Sequence, residues 1–360
     1  MSVSRSRGRR RILTSVIAIG AAAVLLGGCA RAGVASTSDA DKATGKGLVI
    51  GWTQRSIAGS DWYKTLVAGG QAEAKKLGAK LVLLDANGDT VQQNSDVQTI
   101  IAKGADVVVM NANDPIGVGP SLLALKKDKI PVVAVNSNLS ASNAKNTFCY
   151  IAENQTATGA LAGKVIAEKA IAKYGDSGTY KLLAIGGFPG DVISELRYKG
   201  FMKGYDAVMK DHPNVKTVAL PLKYGSWKPD QALAPIRDAA TANPDIKIVF
   251  SMSDVMQGGI ESGLKQAGIW NDVLEGSYDG QMSTVREMED DPTGPIQADA
   301  SNGPYEQGQA AVRMAVDAYA GKTSACPSGT QYIDTTVVTP DNAKQYYDPS
   351  LTHVRVTTQK

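Results

Sequence analysis

The sequence predicts an α/β protein made of two successive Rossmann-like lobes, each a parallel sheet flanked by helices. Three observations predict it. Short apolar, strand-like runs alternate with helical stretches along most of the chain, the pattern of a parallel sheet with helices on both faces. The cycle ends in one long helical stretch and then starts again with a similar number of elements. A chain of 360 residues, 43% of them hydrophobic, is also long enough to fill two cores.

Taken in order, residues 1–28 read as a processing segment: a basic start, then an apolar run over 12–26 that is short for a membrane span. Its end, Leu26-Gly27-Gly28-Cys29, resembles a bacterial lipobox, which makes Cys29 the expected lipidated N-terminus. Residues 29–46, rich in Ala, Ser, Thr, Gly and Asp, read as a flexible tether. A strand is predicted over 48–52 and a helix over 61–77. Ligands sit outside the carboxyl ends of strands in such sheets, and Ser60, Asp61, Trp62 and Tyr63 fall there; two large aromatics at so exposed a turn suggest a flat-faced ligand. Strands follow at 80–84, 106–110, 131–135 and 146–151, with helices at 90–103 and 115–127. After the long helix over 155–174, strands are predicted at 180–185, 215–221, 247–252 and 273–278, and helices at 193–210, 229–243, 255–267 and 281–289. A strand at 296–300, a helix at 305–320 and a strand near 332–338 close the list.

Charge and chemistry narrow the function. The net charge of +3 includes five arginines in the first 28 residues and no acid there; without them 33 basic face 35 acidic residues, a net of −2. That balance gives no support to nucleic-acid binding. Beyond Cys29 only Cys149 and Cys326 remain; in an exported protein such a pair invites a disulfide, and two separate buried thiols are the alternative. The two histidines, His212 on a loop and His353 in the tail, are placed by neither spacing nor pattern near the expected cleft, so triads and zinc sites lack material. The run Gly186-Gly187-Phe188-Pro189-Gly190 is neither a dinucleotide fingerprint nor a phosphate loop and reads as a turn. No enzyme, cofactor or metal is expected.

The stretches QAEAKKLG at 71–78, IPVVAVN at 130–136, RYKGF at 197–201, NPDIKIVF at 243–250, SD at 253–254 and YDG at 278–280 stand in this order along the chain. Together they resemble the type I periplasmic sugar-binding proteins, the ribose-binding group of ABC-transporter solute receptors. The resemblance implies a periplasmic binding protein type I fold, with three crossovers near 151–153, 302–303 and 333–334. It divides the mature chain into 47–151 plus 303–332 and 152–302 plus 333–360. Both cysteines then belong to one lobe, which supports the bridge. It also implies a lipid-anchored extracytoplasmic monomer that touches the membrane through its anchor only and hands a sugar or neutral polyol to an ABC permease. A sensor presenting the same closed form to a membrane signalling partner is the alternative.

Carried over residue by residue, the resemblance makes Ser60, Trp62 and Tyr63 the first wall of the site and Trp227 the aromatic on the opposite face. Asp279 becomes the hydroxyl acceptor, Asn302 an amide at the second crossover and Tyr278 an aromatic wall. Asn136-Ser137 stands where the ribose receptors carry Asp-Arg, and Ser253 replaces an Asn beside Asp254. Glu195 stands where an arginine is expected, as either a hydroxyl acceptor or a solvent-facing residue. Two sugar-clamping arginines are therefore read as missing, which disfavours an anionic ligand and leaves a monosaccharide, a polyol or a small glycoside-like solute.

Overall fold

The computed structural model describes residues 38–356. The expected leader, Cys29 and most of the tether lie outside them. The tether expectation is corrected at its end, because residues 38–46 dock onto the first lobe. Ser38 caps the short helix Asp39–Lys42, and Lys42 Nζ pairs with Asp106 Oδ1 at 2.7 Å.

Thirteen strands form two sheets among the described residues. They are β1 (Val49–Gln54), β2 (Lys80–Asp85), β3 (Val107–Met110), β4 (Val132–Val135), β5 (Cys149–Ala152), β6 (Gly178–Gly186), β7 (Val215–Ala219), β8 (Lys223–Tyr224), β9 (Ile246–Ser251), β10 (Leu274–Asp279), β11 (Ile296–Ser301), β12 (Thr330–Tyr332) and β13 (Thr336–Val338). The first sheet runs β12-β5-β4-β3-β1-β2 and is parallel throughout. The second runs β13-β11-β10-β9-β6-β7, with β8 also beside β6. Its edge strand β13 alone is antiparallel. Central strands such as VVVM of β3 and VVAV of β4 are buried along their whole length, as sheets covered on both faces require.

The chain passes between the sheets at 153–154, at 302–303 and at 333–335. The third passage corrects the sequence reading of one strand near 332–338. It is two strands in different sheets, because Ile333 N still bonds Ala152 O of β5 while Thr335 Oγ1 accepts from Thr158 at the start of the next lobe. Cys149 of β5 and Cys326 are bonded, with Cα atoms 6.0 Å apart. The bridge ties β5 to the segment that leads into its neighbour β12.

Candidate binding cleft

A cleft of about 510 Å³ lies between the lobes. Helix Asp61–Leu77 places its first wall. Ser60 caps that helix by accepting from Tyr63 N, so the first turn carries Trp62 and Tyr63 straight to the carboxyl end of β1. Their rings meet edge to face, with centroids 5.5 Å apart. Trp62 Nε1 donates to Asn302 Oδ1 at 2.9 Å, which fixes the indole plane.

The second wall is polar and tightly bonded. Asp279, at the end of β10, accepts on Oδ1 from Arg197 Nη1 at 2.9 Å and from Asn302 Nδ2 at 2.8 Å. Its Oδ2 accepts from Ser253 Oγ at 2.5 Å. A carboxylate offers about four acceptor sites, so Oδ2 keeps one position beyond Ser253, on a residue that lines the cleft. Arg197 is held in turn by Gln155 Oε1 and Met252 O, and its guanidinium lies 3.9 Å from the Tyr278 ring centroid. Its Nη2 comes within 3.9 Å of Glu153 Oε1. Burial lifts the Glu153 carboxyl to about 7, against the downward pull of Arg197 and the Tyr278 hydroxyl.

Trp227 stands opposite the first wall in a left-handed backbone, φ 55°, after Ser226 at φ 53°. Such a conformation costs a bulky residue about 1–3 kcal/mol and persists only where the surroundings enforce it. Here Ser226 N bonds Gly187 O and Lys228 N bonds Gly225 O. The indole lies against Gly187, where any Cβ would collide with it. The glycine-rich turn at 186–190 is therefore the seat of a cleft aromatic.

The structure brings together Ser60, Trp62, Tyr63, Asn136, Trp227, Ser253 and Asp279 as lining residues. Asn302 is buried behind them and joins the two walls. Ser137 lines an adjoining chamber instead. Two expectations are corrected. Glu195 is exposed and lines no part of the cleft; Ile193 and Arg197 share the inward face, and Glu195 lies about 200° of helical turn from Ile193. Tyr278 is fully buried and gives its hydroxyl to Glu153 Oε2 at 3.2 Å. It packs with the core behind β10, so it backs Arg197 and forms no wall.

Sequence reasoning also missed a site residue. Arg197 is a cleft cation, which the reading of two missing sugar-clamping arginines did not count. Its presence in the quoted RYKGF stretch, four residues after Ile193, was the signal available. Gln281 was missed as well. It lines the cleft and pairs through its backbone with His353, which brings that histidine close to the site after all.

A family model described as a periplasmic binding protein domain matches residues 50–323. The chain therefore belongs to that family, in its type I, two-sheet form; it is a binding protein and not an enzyme. Among curated relatives, the ribose import binding protein of Salmonella typhimurium is 26% identical over 65% of this chain and 74% of its own length. The D-apiose import binding protein of Actinobacillus succinogenes is 26% identical over 79% of this chain and 86% of its own. An ABC transporter solute-binding protein of Mycobacterium smegmatis, solved with bound glycerol, is 30% identical, superposes with a TM-score of 0.70 and covers 86% of this chain and 100% of its own.

Proposed function

We propose that this protein captures a monosaccharide or neutral polyol between its lobes and delivers it to an ABC importer. The observation that carries the reading is the further acceptor position on Asp279 between facing aromatic walls. Sugars present apolar C–H faces and in-plane hydroxyls. Aromatic rings cover the former, and a buried carboxylate accepts from the latter at about 1.5–3 kcal/mol for a charge-assisted bond. The import proteins among its relatives and the glycerol in the Mycobacterium smegmatis structure support this ligand class. Arg197 is not counter-evidence, since Asp279 neutralises it. Export, lipidation at Cys29, a place on the outer face of the cell membrane and action as a monomer complete the proposal. Among the described residues no helix is long and apolar enough to cross a membrane.

Closure follows if the ligand favours the closed arrangement over the open one. A thermal-shift screen of the purified protein against pentoses, hexoses, pentitols and inositols tests the reading. At least one stabilising compound is expected. A flat response from folded protein contradicts the sugar or polyol assignment.

A further inference from the structure

A second chamber of about 610 Å³ lies beside the cleft. It shares Asn136 and Ile193 with the first, so the two lie side by side. Arg55 and Ser137 line it from the first lobe, Val192 and Leu196 from the second, and Glu153 at the hinge.

Three observations mark this chamber as built for a ligand. Glu153 lines the chamber at the hinge, only 3% exposed, with Oε2 accepting from the Tyr278 hydroxyl and Oε1 3.9 Å from Arg197 Nη2. Arg55, half-buried, reaches only the Ser137 hydroxyl, at 3.5 Å, and otherwise lies 5.8 Å from the Tyr63 ring centroid. Most of its five donors remain for a guest. Facing these polar groups, Val192 and Leu196 leave apolar surface open, at 60% and 37% exposure. One apolar side and one hydrogen-bonding side make the kind of slot that a sugar ring or a flat aglycone fills.

Size agrees. The first chamber alone falls within the range of roughly 300–1,000 Å³ that serves one small ligand, and a single ring there leaves the second chamber unused. We infer that the cleft takes a two-unit solute, a disaccharide or a glycoside, with one ring between Trp62 and Trp227 and the second unit between Glu153, Arg55 and Leu196. A neutral second unit fits, since acid and base both face it. The inference rests on the sugar-binding reading above and narrows it.

Calorimetric titration of the purified protein tests it, with cellobiose, xylobiose, melibiose, arbutin and salicin run beside glucose, xylose and galactose. At least one two-unit probe is expected to bind about tenfold or more tighter than its component sugar. Leu196→Trp, or Val192→Trp if the first variant misfolds, fills only the second chamber. Either should erase that advantage and keep one-ring affinity within about twofold. One-ring binding with no two-unit advantage overturns the inference and leaves the simpler function standing, as does an advantage that survives the filling variants. Binding of neither class overturns both.

Discussion

The two lobes share one cleft but are held together by different means. The first buries aliphatic strands, closes a long loop with the Cys149–Cys326 bridge and offers the cleft aromatic rings, of which Trp62 bonds Asn302 across the gap. The second buries carboxyl groups along its sheet: Asp254 after β9, Glu275 and Asp279 on β10, and Asp299 on β11. Burial, reinforced by the charge of Asp279, lifts Asp254 to about 7, and burial lifts Glu275 to about 8. Burial and the Asp254 charge hold Asp299 well above the carboxylate range. The difference teaches a division of labour. The first lobe supplies the cleft with shape, and the second supplies it with preorganised polarity at the expense of stability.

Breaking the second wall should cost most. Asp279→Ala leaves Arg197 buried without its closest ion partner, so binding should vanish and unfolding free energy fall by about 3–5 kcal/mol, read by calorimetry and denaturant titration. Trp62→Ala, on the first wall, should weaken binding by roughly 1–3 kcal/mol with a much smaller stability loss. Equal stability losses in both variants would erase the contrast between the walls. Next in size, Cys149→Ser should lower stability by about 2–5 kcal/mol, because the bridge spans a sequence separation of 177, and should leave ligand affinity unchanged.

The last effect is pH dependence, and it belongs to the second lobe. Glu275 titrates near 8 in the fold against 4.5 when free, so the folded state holds its proton longer than the unfolded chain does. Its stabilising contribution is complete below about pH 4.5 and is lost as pH rises through about 8. Asp254 and Glu153, both raised to about 7, act with the same sign. Melting temperature should therefore fall as pH rises from about 5 to about 9, and Glu275→Gln should flatten that fall. An unchanged slope in the variant would remove Glu275 from the account.

Much of this was legible in the sequence, for local reasons. Helices Asp61–Leu77 and Gln155–Tyr174 match their expected bounds because cap residues Ser60 and Asn154 and the terminal Gly78 and Gly175 mark the ends. The fourth helix begins at Gly119 and not at 115, since Asp114 Oδ1 accepts from Ile116 N and Gly117 N and turns the chain first. What sequence could not supply was direction. Whether Glu195 or Arg197 faces inward depends on the exact start of helix Val192–Met209, and a slip of two residues exchanges them. Whether Tyr278 walls the cleft or backs Arg197 depends on which face of β10 meets helix Gln155–Tyr174, which only the assembled lobe decides. The buried carboxyls were invisible for a similar reason: Glu275 and Asp299 sit in strands whose neighbours gave no sign of burial at both faces.

The most direct test of the central claim is a crystal structure with the strongest binder from the sugar and polyol screen. The account predicts a ring between Trp62 and Trp227 with one hydroxyl within hydrogen-bond distance of Asp279 Oδ2. A ligand bound elsewhere, or one seated in the cleft with no hydroxyl facing that oxygen, would contradict it.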